Sequence, residues 1–164
     1  MLEIVQAPQE IRDQLWQLFL EYADELSVLD GETRPHISRH YECFDRFWTE
    51  DTCTPFAILF DHEPIGFCLL EDTGLEYKIS DFYVRPLHRR RGFGKAAVER
   101  VKEFCRTLAR HHVITANVYV NNTAAIEFWR SAGFVDTGGR VRIGRLRLVR
   151  MECNLSFGDS RPLR

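Results

Sequence analysis

Seven consecutive residues, Arg89, Arg90, Arg91, Gly92, Phe93, Gly94 and Lys95, place three guanidinium groups, an ammonium and two glycines between a β-rich run ending at Val84 and a helical pattern. Glycines let a backbone approach a bulky anion. A helix start offers unpaired N–H groups and a positive dipole end, and the basic side chains add charge. That combination suits a pyrophosphate. No Gly-Lys-Ser/Thr follows, so this is not a P-loop, and two glycines without a full parallel βαβ context do not make a dinucleotide fingerprint. A carboxylate, Asp81, precedes the loop on the same β-rich run and could act as a general base, with Glu71, Asp72 and Glu76 as alternatives. An Asp81 satisfied by backbone or by an arginine is the competing reading.

Other reactive residue types point nowhere comparable. His36 and His40 are four apart, but no carboxylate or cysteine stands at a spacing that would complete a metal site, so packed or solvated histidines are expected and no metal. The five cysteines are odd in number, widely spaced and never in a C-x-x-C pair, which indicates neither a disulfide framework nor a thiolate zinc site and fits a reducing cytoplasm. Arg140, Arg142, Arg145, Arg147 and Arg150 make a basic stripe, read as a solvated sheet face or a contact to the phosphates of a bound ligand rather than a nucleic-acid surface.

The elements that must position these groups can be read from periodicity. Leu2 to Gln6 is a strand; Ile11, Leu15, Leu18, Phe19, Tyr22 and Leu26 form one face of a helix that Asp30-Gly31 ends. Pro35 opens a second helix through Tyr41, Phe44 and Trp48. Pro55–Phe60 and Ile65–Leu70 form a hairpin about the turn 61–64, and Tyr77 to Val84 is a strand stopped at Arg85-Pro86. Ala97, Val98, Val101, Phe104, Cys105 and Leu108 stripe a long helix. Val113 to Val120 is a strand, 122–132 a short helix closed by Gly133, and 134–141 with 146–153 an antiparallel pair. This order predicts a mixed α/β (α+β) sheet flanked by helices.

With 164 residues the chain fits one domain, 1–157, followed by a loose tail, 158–164. No stretch resembles a signal peptide or a bilayer span, so a soluble, cytoplasmic protein with no membrane partner is expected. Net charge is −2, yet residues 1–78 hold 17 Asp/Glu against 5 Lys/Arg and residues 79–164 hold 7 against 17. The asymmetry suggests an anion on the C-terminal half and a cation on the N-terminal half.

Two segments carry a resemblance. Residues 79–95, ISDFYVRPLHRRRGFGK, are similar to the acetyl-CoA motif of the GNAT superfamily of N-acetyltransferases, and Asn122 to Phe134, NTAAIEFWRSAGF, resembles its Asn-x-x-Ala-x-x-x-Tyr-x-x-x-Gly-Phe pattern. The resemblance implies a mostly antiparallel sheet of six to seven strands with a central parallel pair and about four helices. It implies that Phe82, Tyr83 and Val84 pair with the pantetheine arm, that an N–H near Val84 polarises the acyl carbonyl, that Arg89 to Lys95 hold the pyrophosphate, and that Asn122 contacts the pantetheine. The thioester slot is expected where the strands part at Val84 and Val120. Trp129 stands in place of the tyrosine that protonates the leaving thiolate; an indole cannot, so Trp129 is expected as a core aromatic that also lines the channel. Tyr119 or Tyr83 could replace the acid, although a thiol is a tolerable leaving group without one. The string Ser80-Asp-Phe-Tyr-Val is similar to a Glu-Asp-Phe-Phe-Val string of polyamine acetyltransferases, with Ser80 where those have an acid. With Asp24, Glu25, Asp30 and Glu32 between the first helices, the expected reaction moves acetyl from acetyl-CoA to the primary amine of a small cationic molecule, a homodimer being open. A protein N-acetyltransferase and a non-catalytic acyl-CoA sensor are the alternatives.

Overall fold

A computed structural model describes residues 1–30 and 37–155, including β1 (Leu2–Gln6), α1 (Arg12–Asp30), α2 (Ile37–Thr49), β2 (Cys53–Phe60), β3 (Glu63–Asp72), β4 (Tyr77–Val84), α3 (Phe93–Leu108), β5 (Val113–Tyr119), α4 (Thr123–Ser131), β6 (Val135–Ile143) and β7 (Leu146–Asn154). His36, Glu32, the start of the second helix at Pro35 and the tail 158–164 lie outside the described residues. The strands form one seven-stranded sheet in the order β1-β2-β3-β4-β5-β7-β6. Every neighbouring pair is antiparallel except β4 with β5, which is the mostly antiparallel sheet with a central parallel pair that the resemblance implies.

The β2–β3 turn is tighter than its sequence suggests. Asp61 and His62 both take positive φ, 50° and 70°, the mirror-image turn whose twist matches a two-residue hairpin. Glu63 and Pro64 therefore belong to β3, paired with Phe60 and Leu59.

Each sheet face is covered by one pair of helices because each carries its own apolar set. Leu15, Leu18 and Phe19 of α1 and Phe44 and Phe47 of α2 pack on Phe67, Leu69 and Tyr83. On the other face, Val98, Val101 and Cys105 of α3 and Trp129 of α4 pack on Tyr77, Ile79, Ile114, Ala116 and Met151. Helix α4 is fixed at both ends. The Asn122 side chain accepts the Ala125 N–H at 3.2 Å, a cap worth about 1 kcal/mol. Lys102, buried at 4% exposure, donates to the Ala132 carbonyl at the helix end and to Glu99. This fixes Trp129 against β4.

Candidate active site

The parallel pair is short. Tyr77, Lys78 and Ile79 pair with Ile114, Thr115 and Ala116, and pairing stops there, so the strands part from Ser80 and Asn117 onward. The slot thus opens several residues before Val84 and Val120, where the sequence placed it. A cleft of about 240 Å³ fills the gap, lined among others by Tyr22, Asp81, Phe82, Tyr119, Asn122 and Trp129.

A bulge in β4 decides what faces this cleft. Leu69 pairs with Asp81 but Leu70 pairs with Ile79, which leaves Ser80 as an extra residue. Strand side chains alternate between faces, and the extra residue reverses the alternation. Tyr77 and Ile79 face α3 before the bulge, whereas Phe82 faces it afterwards, with Tyr83 turned to α1. Asp81 is thereby turned with Tyr83 toward α1, where the Tyr22 hydroxyl donates a hydrogen bond to it. Without the slip, Asp81 would point into the apolar layer under α3.

Burial raises the Asp81 carboxyl from its ordinary 3.8 to about 7; the Tyr22 hydrogen bond and the Lys78 charge pull it down without overcoming the loss of water, and Glu71 adds to the rise. Among the described residues no arginine pairs with Asp81. The alternative carboxylates differ in this respect. Glu76 is held by both Arg150 amino groups, which keep its pKa below the ordinary value. Glu71 accepts from Arg46 at 3.1 Å and from Ser80 at 3.2 Å. Asp72 sits at the far end of β3, where hydrogen bonds from Gly74 and His111 outweigh its burial and lower its pKa.

The ladder between β3 and β4 aims the backbone as well. The Arg85 N–H donates to the Ile65 carbonyl at 2.8 Å. In an antiparallel pair, bonded and non-bonded residues alternate, so Tyr83 turns its N–H and C=O toward β3 and Phe82 and Val84 turn theirs into the gap. Of the three residues expected to pair with a pantetheine arm, only Phe82 and Val84 therefore offer backbone groups to it.

Beyond β4, a one-turn helix at Pro86–His88 leads to Arg90 and Gly92, both with positive φ, 61° and 80°. Gly92 caps α3 without a side-chain hydrogen bond, and its carbonyl accepts the first helical bond from Ala96. The N–H groups of Phe93, Gly94 and Lys95 thus have no partner within the helix. The three arginines do not act alike. Arg89 is committed elsewhere: its amino groups bind both Glu25 oxygens at 2.8 and 2.7 Å, and its Nε donates to the Val84 carbonyl at 2.7 Å. The resemblance expects phosphate at Arg89; here its guanidinium is paired with Glu25. Arg91 stacks over Phe60 and Phe93, while Arg90 and Lys95 are exposed. Gly94 has a packing reason too, since a Cβ there would lie 3.0 Å from the Phe128 ring.

The remaining expected residues divide between structure and cleft. Asn122 spends its side-chain oxygen on the α4 cap while lining the cleft. Trp129 is 5% exposed and packs edge-on against Phe82, Phe128 and Phe134 at 4.9–5.3 Å, and it also lines the cleft. Tyr83 donates to Glu21 at 3.3 Å on the α1 side, and burial pushes its pKa up to about 12; of the two replacement acids, Tyr119 is the one on the cleft. In the sequence Tyr22 belongs to the apolar stripe of α1, and a phenol within such a stripe is the available signal of a further role.

A sheet parted beside an anion-ready helix start is the frame of an acyl-coenzyme A transferase. The chain matches the family model described as Acetyltransferase (GNAT) family over residues 12–134, and it belongs to that family. Comparison with curated proteins gives no sequence match. Among solved structures, the chain is similar to PaiA N-acetyltransferase of Thermoplasma acidophilum in complex with coenzyme A (14% identity, TM-score 0.71, 94% of this chain and 99% of that one). It is similar to spermidine N-acetyltransferase of Vibrio cholerae in complex with CoA and spermine (18%, 0.71, 94% and 95%). A third is the ribosomal-protein-S18-alanine N-acetyltransferase of Escherichia coli (16%, 0.73, 100% of both). At these identities the likeness establishes the fold.

Proposed function

We propose that the protein moves an acetyl group from acetyl-CoA to the primary amine of a small molecule by direct attack, in the cytoplasm. The observation that carries this reading is the position of Asp81, the cleft carboxylate that no arginine pairs with among the described residues, where β4 and β5 part. The residues present fit a coenzyme: the N–H groups of 93–95 with Arg90, Arg91 and Lys95 would hold its phosphates, and the Phe82 and Val84 backbone its pantetheine arm. Bound there, the coenzyme supplies an acyl group activated as a thioester, and the amine nitrogen replaces the thiol at the acyl carbon. Asp81 accepts the proton that the amine must lose, and the Val84 N–H is placed to steady charge on the acyl oxygen. Thiolate departure needs no strong acid; Tyr119 is a cleft phenol that could return a proton.

The V. cholerae neighbour was solved with spermine, which supports a cationic acceptor, and the small cleft supports a molecule rather than a polypeptide. The acidic set on α1 supports it less than the sequence suggests, because Glu25 is paired with Arg89. Two measurements test the reading. Acetyl-CoA is expected to raise the melting temperature, less so at high salt, whereas NAD and ATP do not. Thiol release is expected from acetyl-CoA with some member of a panel of small amines. Equal stabilisation by all three nucleotides, or no release with any amine or peptide, refutes it.

A further inference from the structure

Two acids one turn apart on α1 meet two arginines four apart on the segment leading to the coenzyme loop. Arg85 binds both oxygens of Glu21, at 3.1 and 2.7 Å, and Arg89 binds both oxygens of Glu25. Tyr83 joins them, since its hydroxyl donates to Glu21 and the Arg89 guanidinium stacks over its ring. The neighbours of these acids in the helix face the cleft: Tyr22, beside Glu21, holds Asp81, and Leu26, beside Glu25, lines the wall. At the other end of the same links, the Arg89 Nε holds the Val84 carbonyl, fixing the strand whose N–H groups enter the gap.

We infer that Glu21, Glu25, Arg85 and Arg89 are positioning residues that tie the amine-side helix to the coenzyme segment, so that the angle of that helix over the cleft follows the coenzyme segment. The inference rests on the reading that the amine meets Asp81 in this cleft. The pairs are 38–45% exposed, and pairs of that kind contribute little stability. Their geometry matters more than their strength: two bidentate links from one helix face to one loop fix an angle that a single link would not. Loss of the pairs should therefore change amine recognition while leaving the anion site, built of backbone N–H groups, intact.

The test uses the full chain with Glu21→Gln, Glu25→Gln, both together, and the exchange Glu21→Arg with Arg85→Glu. Each single change is expected to raise the KM for the amine about 2- to 5-fold, as an exposed pair worth up to ~1 kcal/mol implies, with the Kd for coenzyme A within about 2-fold of wild type. The exchange keeps the net charge and is expected to restore KM, which distinguishes positioning from simple attraction of a cation to Glu21. Hydrogen exchange of α1 amides should slow when coenzyme A is added to wild type and not to the double variant. Coenzyme affinity that falls about 10-fold or more with amine KM unchanged, an exchange that fails to restore KM, or α1 exchange indifferent to coenzyme would each overturn the inference. A wild-type chain that binds no coenzyme A would instead refute the acetyltransferase reading beneath it.

Discussion

Replacing Asp81 with Asn tests the catalytic assignment and a stability effect together. The carboxyl titrates at about 7 in place of its ordinary 3.8 because burial disfavours its charge. That difference corresponds to about 4 kcal/mol of preference for the neutral form. Because Asp81 opens onto a cleft that admits water, about half of this, ~2 kcal/mol, is the expected effect on folding. The folded pKa lies above the unfolded one, so between the two the folded chain binds the proton more tightly. Stability contributed by the neutral carboxyl is therefore present in full below about 4 and lost as pH rises through about 7. Asn cannot ionise, so Asp81→Asn is expected to melt higher than wild type at pH 8 and alike at pH 4. Activity should move the other way: only the carboxylate accepts a proton, so wild-type kcat/KM rises with pH to a bend near 7, and the variant loses roughly 10²- to 10⁴-fold at pH 8. Thermal melts and a pH–rate profile on the same preparations decide it. A variant with full activity, or one whose melting difference is the same at both pH values, refutes the assignment of this carboxylate.

Two further substitutions probe the walls of the site. Gly94→Ala presses a Cβ to 3.0 Å from the Phe128 ring and is expected to cost about 1–3 kcal/mol in a thermal melt, with coenzyme binding by calorimetry largely kept. Gly94→Glu adds a negative charge beside the phosphates and should abolish binding; the contact with Phe128 means that it also weakens packing, so the fold is not left untouched. Trp129→Ala should cost about 3–5 kcal/mol because the ring is buried, whereas Trp129→Phe keeps the packing and most activity. Trp129→Tyr should leave steady-state turnover equal or raised, and a loss there would show that the indole itself is needed.

Much of this site was legible because it is written in backbone chemistry that few residue types satisfy. Glycines with adjacent arginines after a strand announce a helix start with free N–H groups, and Gly92 takes a positive φ at the N-cap of α3. The helices and the antiparallel pairs followed from apolar spacing, since periods of 3.6 and 2 are local properties of the chain. Side-chain partnerships were not legible in the same way. Nothing local to the loop announces that α1 brings Glu25 to Arg89 from 64 residues away, and Tyr22 looks like core until the same helix brings its hydroxyl to Asp81. Such pairings depend on how an element is rotated over the sheet, which a hydrophobic period constrains only to a broad stripe.

The placement of Asp81 shows how far a local pattern can reach when it is read for its irregularity. In β4 the residues packed under α3 are Tyr77 and Ile79, then Phe82 and Val84, with the polar pair Ser80-Asp81 between them. A regular strand would keep one parity throughout, so two adjacent polar residues at which the parity reverses mark a bulge. The bulge occurs immediately after the last pair that β4 makes with β5. One extra residue therefore coincides with the opening of the gap, turns the carboxylate out of the apolar layer toward α1, and leaves Phe82 to meet Trp129 on the other face. Separation of the acid from the aromatic wall is thus a consequence of chain geometry at Ser80, and it lets Trp129 close one side of the cleft while Asp81, the base in the proposed reaction, faces the other.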